Sequence, residues 1–260
     1  MKCIHLQQTE STNSFLLDLL AVGFDLEDMS VFWTTRQTAG RGQMGNSWEA
    51  EPNRNVSFSV LLHPDFIAPR QQFVISELTA LAVVDALCEF LPEPCRPMVS
   101  IKWPNDIFVG EEKICGMLIE NQLMGGQLTS SVLGIGINVN QQKWVGNAPN
   151  PTSMRLVAGQ KYVPEQVMQR VAELICRQYK LLRIAYDCTS DEIHKRFCQN
   201  LYRRVGLHPY VDAQTGEAFR ASITDVEPTG PLHLTTEAGE ERVYSFKEVR
   251  FVLPCGVTKE

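Results

Sequence analysis

Residues 98–139 limit the fold more than any other stretch. Three strand-like runs, 98–103, 113–121 and 128–139, follow one another there, and the turn between the last two contains Gly125 and Gly126. Apolar runs bounded by turn residues commit this part of the chain to a sheet. Just before them, residues 70–91 carry apolar side chains along one helix face and stop ahead of Pro92. A residue that precedes proline is pushed out of helical geometry. Upstream, Asn-Val-Ser-Phe-Ser-Val-Leu-Leu at 55–62 alternates like a strand, and 30–36 is rich in β-formers. Residues 14–22 read as a short helix ending at Gly23, and 164–201 as two helices broken near Asp187–Asp191. This order predicts an α+β domain.

After about Gly206 the pattern changes to short β-like runs at 208–211, 219–226, 232–235 and 242–246. Turn residues such as Gln214-Thr215-Gly216 and Pro228-Thr229-Gly230-Pro231 separate them. They predict a small β-barrel appended to the larger domain, with residues 1–205 in the first unit and 206–260 in the second. No catalytic motif stands out in this tail.

The 260 residues suffice for one large domain and a small one, and 44% hydrophobic content suffices for a packed core. Lys and Arg total 24 against 30 Asp and Glu, a formal charge of −6. No basic face for nucleic acid is visible, although a local site can still hold a small anion. The eight cysteines, at 3, 88, 95, 115, 176, 188, 198 and 255, form no CxxC pair. No histidine is read at zinc-ligand spacing beside any of them. Scattered cysteines of this kind are expected to be reduced, mostly buried thiols in the cytoplasm. Met1 is followed by the polar Lys2, His5, Gln7 and Gln8, so no signal peptide is expected. No apolar run approaches the roughly 20 residues of a membrane span.

Four segments carry chemistry. Thr9-Glu10-Ser11-Thr12-Asn13 precedes the first helix and reads as an N-cap, an anion or amide site, or both. Residues 36–48 hold Gly40, Gly42 and Gly45 around Arg41, a loop that lets backbone approach a ligand beside a fixed positive charge. Its spacing mimics a dinucleotide fingerprint, but another strand follows instead of a helix, which disfavours a Rossmann unit. No Gly-Lys-Ser/Thr occurs anywhere, which excludes a P-loop. In Ile101-Lys102-Trp103-Pro104-Asn105-Asp106, a lysine ends an apolar strand before a rigid turn. Its ammonium can face an anionic reacting centre, and Asp106 either braces the turn or holds a metal. Lys113-Ile114-Cys115-Gly116-Met117-Leu118-Ile119-Glu120 and Gly134-Ile135-Gly136-Ile137-Asn138 read as core strands, with glycines where a ligand or another backbone comes close.

Taken in order, Ser-Thr-Asn, Gln-Thr-Ala-Gly-Arg-Gly, Lys-Trp-Pro-Asn-Asp, Lys-x-x-Gly-x-Leu-x-Glu and Gly-Ile-Gly-Ile-Asn-Val resemble the catalytic core of biotin–protein ligases. The resemblance covers roughly residues 5–160 and extends more loosely to the β-rich end. It implies a mixed-sheet catalytic domain of the class II synthetase-like, biotin/lipoate ligase type, with an SH3-like C-terminal domain. It also implies ATP-dependent attachment of biotin to a lysine of apo biotin carboxyl carrier protein through biotinyl-adenylate, with Mg²⁺ assisting. Ser11, Thr12, Asn13, Gln37, Gln43 and Lys102 would then line the biotin end. Arg41 and Gly42 would belong to a loop that closes over biotin and adenylate, and Lys102 and Arg41 would be catalytic. Gly40, Gly45, Trp48, Lys113 and Asn138 would border the nucleotide. Gln43 departs from the family pattern, which often has a second arginine there. The chain begins almost at Ser-Thr-Asn, which leaves no room for an N-terminal helix-turn-helix and implies the monofunctional class. A homodimer is allowed; nucleic-acid and membrane partners are not expected. Three other readings compete. Lipoate ligation is disfavoured by the Gly-Arg-Gly loop and Lys-Trp-Pro-Asn-Asp, a DNA-binding regulator is disfavoured by the acidic charge, and a structural interaction protein whose β-barrel docks partners would leave the five motifs unexplained.

Overall fold

The computed structural model describes residues 1–146 and 150–253 of the protein. The chain opens with strand β1 (Cys3–His5), helix α1 (Thr12–Ala21) and β2 (Val31–Thr34). A small hairpin, β3 (Gly40–Arg41) and β4 (Ser47–Trp48), leads to β5 (Val56–Leu62) and the long α2 (Phe73–Phe90). Next come β6 (Val99–Lys102), β7 (Asp106–Val109), β8 (Glu112–Met124) and β9 (Gln127–Ile137). Three helices follow, α3 (Met154–Ala158), α4 (Pro164–Ile184) and α5 (Tyr186–Gln199). The chain closes with β10 (His208–Asp212), β11 (Ala218–Val226), β12 (Leu232–Thr236), β13 (Glu241–Tyr244) and β14 (Val249–Phe251).

Seven strands form one sheet in the order β1-β2-β5-β9-β8-β7-β6. β1 lies parallel to β2, and every other pairing is antiparallel, so the sheet is mixed. Period-2 alternation divides its side chains between two layers. Val56, Phe58, Val60 and Leu62 of β5, with Leu133, Ile135 and Ile137 of β9, join the main core shared with α2, α4 and α5. Leu61 and Val132, whose side chains take the opposite face, meet Phe32 and Leu16 of α1 in a separate small cluster. The three large helices thus cover one face and α1 part of the other. That leaves the remainder of the second face open for a site. α2 is buried nearly all round because the sheet flanks it on one side and α4 and α5 on the other.

The β-rich tail is a five-stranded antiparallel sheet in the order β13-β12-β11-β10-β14. Among the described residues no ladder joins β13 to β14. It docks on the larger domain through Trp103, whose Nε1 donates to the Gly230 carbonyl at 2.9 Å. Phe246 reaches both Trp103 and Phe73, with ring centroids 5.3 and 5.8 Å apart.

Several expectations need correction. A strand at 106–109 was hidden, because Asn105-Asp106 reads as a turn and the sheet resumes at once after it. β14 was likewise unmarked. The helical stretch breaks at Ala185, ahead of the expected Asp187–Asp191 region, which lies inside α5. The cysteines are less buried than expected. Only Cys115 and Cys176 of the seven described are buried, and all seven are free thiols. Cys255 lies outside the described residues. No helix is long and apolar enough to cross a membrane among the described residues.

Leu16 is fully buried and is the α1 side chain at the centre of its apolar contact with the sheet, with Phe15, Leu17, Leu19 and Leu20 packed around the same cluster. Leu16→Ala is expected to cost about 2–4 kcal/mol by leaving a cavity that α1 cannot close, read as a lower urea midpoint. An unchanged midpoint would mean that α1 is held by other contacts.

Candidate active site

A cavity of about 740 Å³ opens on the sheet face that α1 leaves bare. Its walls are the start of α1, the β3–β4 hairpin, the 102–106 turn and the final strand of the C-terminal sheet. Five cationic side chains line it, Arg41, Lys102, Lys113, Lys247 and Arg250, with Asp106 the single carboxylate among the described lining residues. The chain carries a formal charge of −6, yet this pocket is locally positive and suited to anions.

The floor follows from strand alternation. Gly116 pairs with Gly136 and Leu118 with Gly134 across β8 and β9, so these residues share one face. The glycines are required by what lies on them. A Cβ at position 136 would collide with the Trp48 indole, and one at 134 with the Asn13 carboxamide. The indole of Trp48 rests on this glycine surface with Lys113 Nζ 5.7 Å from its ring centroid, and its Nε1 is buried without a hydrogen-bond partner.

Asn13 is buried at the start of α1 and fully engaged. Its Nδ2 donates to the Leu118 carbonyl at 3.0 Å and to Glu120 Oε2 at 2.9 Å, and its Oδ1 accepts from Ser59 Oγ at 2.6 Å. Ser59 also donates to Thr12 Oγ1 at 2.8 Å in an alternative orientation of the same hydroxyl. The same Glu120 oxygen holds Arg41 at 2.7 Å. Glu120 therefore links the helix start to the hairpin loop. Ser11 is the N-cap of α1 and accepts from Ser14 N at 3.4 Å, which bears out the capping reading. Gln37 Oε1 accepts from Thr12 N at 3.0 Å. The Gln37 group left to offer a ligand is its Nε2.

Lys102 ends β6, and its Nζ lies 3.8 Å from Asp106 Oδ2, 5.0 Å from the Phe251 ring centroid and 5.7 Å from that of Phe108. Burial pushes its pKa below the ordinary lysine value; Asp106 opposes the shift, and the charges of Lys113 and Arg203 add to it. Lys113 Nζ binds the other Asp106 oxygen at 2.6 Å. Asp106 thus braces two lysines at the pocket wall.

Ser11, Thr12, Asn13, Gln37, Arg41, Gly42, Gln43, Trp48, Lys102 and Lys113 all line the cavity as one constellation. Gly40, Gly45 and Asn138 are not among its lining residues. Gly40 packs against Trp48 and Gln37, and Gly45 ends the short turn between β3 and β4. Asn138 is buried behind the floor, where its Oδ1 accepts from Asn55 Nδ2 at 3.3 Å. Sequence reasoning gave Glu120 no site role, although it closes the Lys-x-x-Gly-x-Leu-x-Glu motif, and missed Ser57; both are legible from parity. Glu120 lies four residues beyond Gly116 on the same strand face, and Ser57 two before Ser59. It also missed Lys247, Arg250 and Phe251, which nothing local marks. Lys247 Nζ donates to the Gln43 carbonyl at 3.4 Å, so the C-terminal sheet reaches the hairpin loop.

Comparison with known proteins agrees with this geometry. The family model described as "Biotin/lipoate A/B protein ligase family" matches residues 5–138. A biotin--[acetyl-CoA-carboxylase] ligase of Paracoccus denitrificans is 31% identical over 245 residues, taking in 91% of this chain and 95% of that protein. The bifunctional ligase/repressor BirA of Bacillus subtilis (strain 168) is 30% identical over 215 residues. That match covers 81% of this chain but 62% of BirA, less than two thirds of its length. Among solved structures, biotin protein ligase from Aquifex aeolicus in complex with biotin and ATP superposes with a TM-score of 0.74 at 23% identity. That superposition covers 96% of this chain and 99% of the other, and at this identity it speaks for the fold.

The Arg41–Glu120 pair is partly exposed, 44% and 28% by side chain, so its contribution is about 0–1 kcal/mol. Glu120→Ala should loosen the hairpin by that amount. Trypsin cleavage after Arg41 is expected to quicken by up to roughly fivefold. A rate equal to wild type would show that the pair does not hold the loop.

Proposed function

The chain belongs to the biotin/lipoate A/B protein ligase family, and from that premise we propose that it is an ATP-dependent biotin–protein ligase. The observation that carries this reading is the meeting of five cationic side chains and one carboxylate in a cavity of about 740 Å³. The reaction begins with two anions, a carboxylate and a triphosphate, whose mutual repulsion is the first barrier. In the proposed first step a biotin carboxylate oxygen attacks the α-phosphorus of ATP, and pyrophosphate leaves. Lys102 and Arg41 stabilise the charge that gathers on the phosphoryl oxygens. In the second step a lysine amine of the carrier attacks the acyl carbon, AMP departs, and the amine proton passes to solvent. Holding both partners in line supplies much of the rate.

The residues suit the two halves of the intermediate. Ser11, Thr12, Asn13, Gln37, Gly42 and Gln43 take the biotin end. Trp48 offers an aromatic surface to the base, and Lys113 a cation to the phosphates. Asn138 acts from behind the glycine floor, and Gly40 and Gly45 set the hairpin's shape. The carrier is proposed to be apo biotin carboxyl carrier protein, and the compartment the cytoplasm.

Magnesium fits this site only in company with the nucleotide. Mg²⁺ prefers one or two carboxylates plus phosphate oxygens and water. Asp106 is the single lining carboxylate, and both its oxygens already face lysines. Asp106 would be the protein's ligand to an ion carried in on the triphosphate. When bound, that ion would neutralise phosphate charge.

Mixing the protein with biotin, ATP, Mg²⁺ and an apo biotin carboxyl carrier domain tests the reading by intact mass. The carrier should gain one biotinyl group, and the gain should vanish without ATP. A gain from lipoate instead of biotin would replace the reading with the sister activity.

Lys102→Ala is expected to slow single-turnover adenylate formation by about 3–5 kcal/mol, roughly a hundredfold to several thousandfold. A near wild-type rate would remove Lys102 from the chemistry. The lowered Lys102 pKa also fixes a sign. As pH rises through that value the ammonium is lost, so kcat/KM for biotin should fall at a pH below the ordinary lysine range. Lys102→Arg keeps its charge, and its profile should lack that limb even where its rate is reduced. An identical limb in both proteins would assign the titration to another group.

A further inference from the structure

A second chemical cluster lies away from the cavity, where α5 meets the C-terminal sheet. His194 and Cys198 are four residues apart on α5, so one helical turn sets them on the same face. The helix corrects the expectation that no histidine stands at zinc-ligand spacing beside a cysteine. His194 Nε2 and Cys198 Sγ are 3.7 Å apart. A tetrahedral zinc with bonds of about 2.05 Å to nitrogen and about 2.3 Å to sulfur separates those two atoms by about 3.6 Å. Asp225 of β11 approaches from the other domain, and one ligand atom from each of the three residues lies within 4.8 Å of the others. Its carboxylate direction is fixed by Val226 N, which donates to Oδ1 at 2.9 Å.

A buried carboxylate stands behind the histidine. Glu77, in the middle of the apolar α2, is 2% exposed and has its Oε1 2.7 Å from His194 Nδ1. A carboxyl group in that core is costly unless paired. Here it orients the imidazole so that Nε2 points at Cys198. Metal-ligating histidines are commonly held in this way, with the second ring nitrogen on a carboxylate.

We propose that His194 Nε2, Cys198 Sγ and a carboxylate oxygen of Asp225 form a zinc site, with water as the fourth ligand. Thiolate, imidazole and carboxylate together suit Zn²⁺ and are a poor match for Mg²⁺ or Ca²⁺. On binding, the Cys198 thiol proton leaves to solvent and His194 is held neutral, its Nδ1–H donated to Glu77. Asp225 is exposed and His194 and Cys198 are half-buried, so the ion has a path in. The bound ion would tie α5 to β11, and so fasten the larger domain to the sheet that brings Lys247, Arg250 and Phe251 to the cavity. The inference is independent of the proposed ligase reaction.

The test uses the full chain, reduced and stripped of metal, titrated with Co²⁺ as the probe. The expected result is one equivalent of cobalt giving a sulfur-to-metal charge-transfer band and tetrahedral visible bands, both bleached by Zn²⁺. Cys198→Ser should lose the charge-transfer band, and Asp225→Asn should bind Co²⁺ more weakly by about tenfold or more. Zn²⁺ should raise the Tm of wild type and leave that of Cys198→Ser unchanged. Asp225 is at the surface, so that variant is expected to match the metal-free Tm of wild type. Wild type without a charge-transfer band would overturn the proposal whatever the variants do. A band retained in full by Cys198→Ser, or wild-type affinity in Asp225→Asn, would overturn it as well.

Discussion

The site depends on how one carboxamide is buried. Asn13 sits at the first turn of α1 and is 3% exposed. An amide in that position costs about 1–3 kcal/mol for each polar atom left without a partner. Here both ends are satisfied, by Leu118, Glu120 and Ser59, and the missing side chain at Gly134 makes the space. This pins the start of α1 to the middle of the sheet. It also fixes Glu120, which in turn holds Arg41 of the hairpin. A chain of contacts thus runs from helix to sheet to loop, and the residues proposed to meet biotin are ordered by it.

The opposite wall is organised by charge. Lys102 and Lys113 share Asp106, and Lys102 is further enclosed by Phe108 from the large sheet and Phe251 from the small one. The lysines are held near each other although their charges repel. An incoming anion would relieve that repulsion, which makes the arrangement receptive to carboxylate and phosphate. The small sheet takes part in this wall. Through Trp103 and Gly230 it is seated against the same turn that carries Lys102.

Much of this was legible in the residues. The alternation in 55–62 and 113–137 separates core positions from site positions, and the glycines at 116, 134 and 136 all fall on the site face. The loop glycines and Arg41 stand out by composition, and Lys102 by its place at a strand end. Glu120 could have been found by counting in twos from Gly116. What stayed hidden was tertiary. Lys247 and Phe251 sit in a tail without local motif, and only the docking of Trp103 and Phe246 brings them to the cavity. The His194–Cys198 pair needed the helix register, and its partner Asp225 needed the domain interface. Asn138 shows the converse. Its position in a motif suggested contact with the nucleotide, but its side-chain oxygen accepts from the buried carboxamide of Asn55.

The central claim is that one pocket activates a biotin carboxylate on ATP before any carrier protein arrives. Exchange of labelled pyrophosphate into ATP, measured without carrier, tests that step alone. The account predicts exchange that appears only when biotin is added and is not supported by lipoate. Exchange that proceeds without biotin, or that only lipoate supports, would contradict it.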